Sequence, residues 1–310
     1  MRMNAKIQSN PEKQLEVNQL MKKIQQAEEL RVKAANDNFN DKLYQQALEI
    51  VKAASEKVQL DQENPEKLPS QEIAVLAHLY LMISTIQQSR AKHVFKENSE
   101  KQEVLTEASA YLEKAEKLVT ILSQRNYFYA ADETPFPWPV EIARSQARIA
   151  ERWPADPAEA QEYLTKALEL YQKAMTEAEK ISANEELPPE VRWSALMALG
   201  TARIEATLVD TKLRPPEQEE VWKEFNQALE ELNRAWEEGY ENWDRFDAGC
   251  DRMLKTLTKE EKYQNKTLIQ EIKKARVKVL EQAAQQDPIA QERLENVRKA
   301  LSQESSLLTS

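Results

Sequence analysis

Three glycines serve a chain of 310 residues, at Gly200, Gly239 and Gly249. Glycine is the residue that takes positive φ without steric cost, so tight hairpins, bulges and phosphate-cradling loops have almost no supply of it. The residues that fill the chain instead, Ala, Glu, Lys, Leu and Gln, are strong helix formers. Apolar side chains recur at helical spacing through nearly every segment, which favours a folded all-α chain over the disorder that 31% charged residues would otherwise allow.

Thirteen prolines punctuate these patterns at positions where helices start and stop. Cutting there predicts helices near 11–38, 41–61, 70–97, 100–124, 140–153, 157–182, 189–213, 217–238, 243–257, 259–286 and 289–303. They group in pairs. On the second member of each of the first four pairs a motif recurs: a large residue, alanine three on, a large residue four further, then a small or apolar residue three beyond. Its instances are Tyr44/Ala47/Val51/Ala54, Leu112/Ala115/Val119/Leu122, Leu164/Ala167/Tyr171/Ala174 and Phe225/Ala228/Leu232/Ala235. Spacings of three and four put all positions on one helical face, with alanine where a neighbouring helix comes closest. The motif alanines lie 68, 52 and 61 residues apart, so the repeat is irregular in length.

The run Ala35-Asn36-Asp37-Asn38-Phe39 leading to Leu43-Tyr44-Gln45-Gln46-Ala47-Leu48 resembles a tetratricopeptide repeat. Leu196-x-x-Leu199-Gly200 is similar to that family's first-helix signature, and Leu164 to Ala174 to its second helix. Ala35 and Lys42 stand where glycines are commoner, and from Gly200 to Ala228 is 28 residues against 12 from Ala35 to Ala47. The resemblance covers residues 17–245. It implies a right-handed α-solenoid of antiparallel helix hairpins with elongated repeats over 1–245. Capping helices over 246–303 and a frayed tail over 304–310 would complete it.

Chemistry-bearing motifs are sparse. The formal charge of −10 speaks against nucleic acid as a partner, which needs a basic footprint. One cysteine, Cys250, makes neither an internal disulfide nor a multi-cysteine metal cage. His78 and His93 are the only histidines, and no Glu-x-x-His, Walker or dinucleotide motif occurs. The reading is non-catalytic, with no metal and no cofactor. Residues 1–6 lead into polar sequence without the apolar core of a secretion signal, and Ile73 to Ile86 is too short and too interrupted to span a bilayer. Both point to a cytoplasmic protein. Oligomeric state is not readable.

The resemblance implies a concave surface, lined by first helices, that receives a protein segment. The residues four apart on that face are Val32, Asn36 and Asn40 in the first repeat and Met197, Thr201 and Glu205 in the fourth. Asn36 is placed either to hold a peptide amide or to bond to local backbone. Some members of the family grip a C-terminal carboxylate with a basic residue beside that Asn; here the position is Val32, which leaves the clamp incomplete.

In Tyr127-Phe128-Tyr129 to Pro135-Phe136-Pro137-Trp138-Pro139, alternating prolines force an extended backbone. Phe136 and Trp138 serve there either as a docking strip or as aromatics buried over apolar helix ends. Trp222 and Trp236 are expected inside, and Gly239 is expected as a left-handed helix cap. Residues 217–251 carry twelve acids and three bases, whereas 255–278 carry eight bases and three acids, and the two blocks are expected to neutralise each other. The role that fits these features is a scaffold, adaptor or chaperone for a protein partner. A structural subunit of an assembly and a ligand-responsive regulator are the alternatives.

Overall fold

The computed structural model describes residues 11–59, 65–130, 132–214, 216–240 and 242–307. Among them it is all-helical, with eleven α-helices and two short 3₁₀ turns at Pro65–Lys67 and Glu261–Tyr263. The helices are α1 Pro11–Asn36, α2 Asp41–Gln59, α3 Ser70–His93, α4 Asn98–Gln124, α5 Trp138–Arg152 and α6 Pro157–Ala183. They continue with α7 Pro189–Leu213, α8 Gln218–Glu237, α9 Trp243–Lys259, α10 Lys266–Ala283 and α11 Pro288–Leu307. No helix among the described residues is long and apolar enough to cross a membrane.

Ten of the proline-bounded segments become helices within a few residues of the predicted bounds. The exception is the segment expected as one helix over 259–286. There the Asn265 side chain accepts a hydrogen bond from the Leu268 backbone at 3.0 Å, so α10 begins only at Lys266 and a 3₁₀ turn precedes it. Of the tail expected over 304–310, residues 304–307 belong to α11 and 308–310 lie outside the described residues.

Scarce glycine is partly replaced by asparagine. Gly239 caps α8 at φ 107°, with Tyr240 N–H donating to the Ala235 carbonyl at 3.0 Å and Gly239 N–H to Trp236 at 3.1 Å. The same bond pattern ends α4, where Asn126 holds φ 51° and Tyr127 N–H reaches the Leu122 carbonyl at 2.9 Å. Asparagine tolerates the left-handed region better than most residues, so the helices can stop without glycine.

Two compact units divide the chain, residues 1–163 and 164–310. In the first, α3 is the central helix. It packs against α1, α2, α4 and α5, and buries residues on every side, from Ile73 and Leu76 to Ile83, Ile86 and Ala91. Arg125, the C-cap of α4, lies against Ser70 at the start of α3 at 3.3 Å, and Glu107, earlier in α4, meets Gln87 late in α3. In the second unit α7 is central, packing on α8 and α9, while α10 packs on α8, α9 and α11. Arg203 of α7 binds Glu231 of α8 at 2.8 Å and Glu224 at 2.9 Å, and comes within 3.9 Å of Glu179 of α6.

The repeated motif is the packing face. Ala47, Ala115, Ala167 and Ala228 all have zero exposure, and every other motif position is buried except the half-buried Leu164.

Candidate partner-binding surface

Val32 and Asn36 lie in the last turns of α1 and Asn40 directly before α2, and Phe39 of the turn between them reaches the end of α3. Val32 is 44% exposed on α1 and Phe39, in the turn, is 39% exposed. With Ile289 they are the large apolar side chains most open to solvent among the described residues. Phe39 follows Asn38 in the left-handed region, at φ 60° and 49° respectively. A bulky residue pays roughly 1–2 kcal/mol for that backbone. Its ring stacks on His93 of α3, with centroids 3.9 Å apart and planes 4° apart, which holds the strained turn against the helix end.

Around this stack the polar groups are committed. Asn40 is the N-cap of α2: its Oδ1 accepts from Lys42 N–H at 3.1 Å and its Nδ2 donates to Asp37 at 2.8 Å. That uses the amide locally, so Asn40 is a cap where the family resemblance implies a peptide-binding group. The Asn36 side chain lies outside the described residues. Arg90 grips Asp41 with two nitrogens, at 2.7 and 3.2 Å, and lies 5.0 Å from the Phe95 ring. Burial, then the charges of Lys92 and Arg152, holds the His93 imidazole below its ordinary pKa.

The fourth-repeat residues sit elsewhere. Met197, Thr201 and Glu205 are 0%, 3% and 6% exposed, so they are interior residues where a groove lining was expected. The reason is that α7 is covered by its neighbours on nearly every side. Thr201 turns its hydroxyl back to the Met197 carbonyl at 2.7 Å, and Glu205 accepts from Arg252 of α9 at 2.6 Å.

The proline-rich segment resolves toward burial. Trp138 has zero exposure and donates its indole N–H to the Tyr129 carbonyl at 3.0 Å, while Phe136 is half-buried 4.4 Å from it. Both rings pack beside His78 of α3, at 5.7 and 6.1 Å. A β-bridge between Tyr129 and Pro135 closes the segment on itself. Trp138 therefore fills core and is no docking anchor. Trp222 and Trp236, expected inside, are only half-buried.

The charge blocks of unit 2 meet in part, through Lys255, Arg276 and Lys278 of the basic block. Arg276 meets Asp247 at 2.6 Å and Asp251 at 3.3 Å, and Lys278 meets Glu237 at 3.1 Å. Cys250 is buried without exposure, and burial pushes its thiol far above the ordinary range, so the nucleophilic thiolate is suppressed. Among the described residues no group of three His, Cys, Asp or Glu side chains is placed to hold a metal ion.

The Phe39–His93 stack is the element that residue spacing missed. Its available signal was an aromatic set in an otherwise polar turn, Asn-Asp-Asn-Phe-Asn. Comparison with family models, curated proteins and solved structures gives no match for this chain.

Proposed function

We propose that the chain is a non-catalytic binding module that holds a segment of a protein partner at the corner formed by Val32, Phe39 and the end of α3. In this reading the helices of each unit stack as antiparallel, tetratricopeptide-like pairs of right-handed sense, and α10 and α11 cap the second unit. Its cellular role is that of a cytoplasmic scaffold, adaptor or chaperone. The carrying observation is that Val32, near the end of α1, and Phe39, in the turn that follows it, are two of the large apolar side chains most open to solvent among the described residues, and that Phe39 stands on strained backbone.

Supporting the pairing, contacts between α3 and α4 run in opposite order along the two helices, from Ser70–Arg125 to Gln87–Glu107. A rigid helical stack limits the ordering cost of binding.

The test is affinity capture from the native extract by wild-type protein and by Val32→Asp, Phe39→Ala and Asn36→Ala variants, with folding checked by circular dichroism. A partner bound through this corner loses about tenfold or more in affinity with the first two variants. Asn36→Ala tells whether that amide takes part. A stoichiometric partner retained equally by all the variants sinks the corner assignment and turns the reading toward a subunit held through another surface.

A further inference from the structure

A cleft of about 680 Å³ opens in unit 2 where α8 ends, α9 begins and α10 ends. That volume lies within the ordinary range of small-molecule sites. Trp236 and Trp243 line it, together with Glu237, Lys278, Gln282 and Asp287. Each indole is fixed by its edge: Trp236 Nε1 donates to Gln282 Oε1 at 2.7 Å and Trp243 Nε1 to Asp287 Oδ2 at 2.9 Å. An indole N–H lies in the ring plane, so these bonds hold the rings by their edges; the Phe246 ring also meets Trp236, centroids 6.3 Å apart in a T-shaped arrangement. Both tryptophans stay partly exposed, although indoles are among the side chains that gain most from burial.

The charges of the cleft select the ligand. Lys278 and Glu237 pair with each other at 3.1 Å and cancel. Asp287 is left: Oδ1 accepts from Ile289 N–H at 2.8 Å, Oδ2 takes the Trp243 indole, and among the described residues no cation pairs with it. The N-terminus of α11 offsets only part of its charge, about half an elementary charge. With both oxygens occupied by N–H donors, Asp287 is poorly placed to coordinate a metal ion, and an anion would be repelled. Tryptophan faces beside an uncompensated carboxylate attract an organic cation, whose diffuse charge meets the ring quadrupole at little desolvation cost.

We propose that this cleft binds an organic ammonium group of the quaternary or alkylated type. The site is separate from the corner at Phe39 and does not depend on the function assigned there. Two sources share this chemistry, a free small molecule and an alkylated lysine side chain.

Full-length protein with ¹⁵N-labelled indoles tests it, because each of the six tryptophans gives its own indole signal and substitution to phenylalanine assigns them. Tetramethylammonium chloride is expected to shift the Trp236 and Trp243 signals saturably, whereas sodium chloride at equal ionic strength and uncharged tert-butanol do not. Asp287→Asn keeps an acceptor for the helix cap and removes the charge, so binding should weaken about tenfold. If that variant loses thermal stability, Asp287→Ser serves the same purpose. Titration with choline and with a short peptide containing trimethyllysine assigns the source to whichever binds tighter. Absence of any shift, an equal shift with tert-butanol, or undiminished binding by a folded charge-neutral variant overturns the proposal.

Discussion

Gly200 and Ala228 meet backbone to backbone where α7 crosses α8: a methyl group placed on Gly200 would lie 2.9 Å from the Ala228 carbonyl oxygen. Ala228 is the motif alanine of α8, so the smallest residue of one helix faces the motif's small residue on the other. Leu232, the motif's next large position, closes the contact from the side at 3.0 Å.

Gly200→Ala therefore sets two effects against each other. In a free helix the change gains about 1 kcal/mol of propensity. Here the added carbon strikes backbone that cannot rotate away, and overpacking of that kind costs about 1–3 kcal/mol. The clash is expected to win, with net destabilisation in urea denaturation. Gly249→Ala is the control, because its new methyl would meet only the side-chain tips of Leu232 and Ile204, at 3.1 and 3.3 Å. A Gly200→Ala protein as stable as wild type would show that α7 and α8 are not locked at this point.

This contact marks what the residue pattern does and does not reveal. Periodicity identifies Ala228 and Leu232 because a buried face imposes its own spacing, the family resemblance singles out Gly200, and prolines set most helix bounds because they cannot continue a helix. Asn265 hid a helix start, since a cap inside an apolar pattern changes no periodicity. Met197 and Thr201 lie in the interior for a related reason. Helix α7 is buried nearly all round, so its sequence has no polar face to distinguish an open groove from an interior. The Phe39–His93 stack joins residues 54 positions apart, and no local spacing encodes it.

Asp247 joins three helices in unit 2, and its loss should be costly. Its carboxylate, only 4% exposed, takes Arg276 of α10 at 2.6 Å and Arg293 of α11 at 2.8 Å. Asp247→Ala leaves the buried Arg276 guanidinium only Asp251, at 3.3 Å, so the loss should approach the lower end of the about 3–5 kcal/mol that breaking a buried pair from one side typically costs. Arg293→Ala should cost much less, because that side chain is 43% exposed and Asp247 keeps its other partner. Chemical denaturation of both variants measures the difference, and equal losses would contradict this ranking.

His78 should make stability depend on pH. Its Nδ1 is enclosed without a hydrogen-bond partner beside Phe136 and Trp138. Burial holds the folded pKa below the ordinary 6.5, against the opposing pull of Asp132 in the adjacent segment and Glu28 on α1. The unfolded chain then binds the proton more readily than the folded one. Stability is accordingly greatest above about pH 6.5 and falls as pH drops from there toward the folded pKa. His93 has a shift of the same sign, so the comparison needs His78→Gln and His93→Gln separately. Thermal midpoints between about pH 5 and 8 should show a shallower acid slope for His78→Gln than for wild type. An unchanged slope would remove His78 from the account.

Tyr263 poses the opposite problem, a polar atom whose removal should do no harm. The side chain has zero exposure and its backbone carbonyl accepts the Trp222 indole N–H at 2.9 Å, which pins the 3₁₀ turn between α9 and α10. Its hydroxyl, however, is buried with no hydrogen-bond partner. Burying such a group unsatisfied costs about 1–3 kcal/mol relative to leaving it in water. Tyr263→Phe keeps the ring and the carbonyl bond while deleting that oxygen, at the expense of a small void. The expected result is a protein at least as stable as wild type, by up to about 1 kcal/mol, whereas Tyr263→Ala should lose about 3–5 kcal/mol from the cavity. Denaturation of the two variants decides the point: a loss above about 1 kcal/mol in Tyr263→Phe would mean that the hydroxyl has a partner, such as an ordered water.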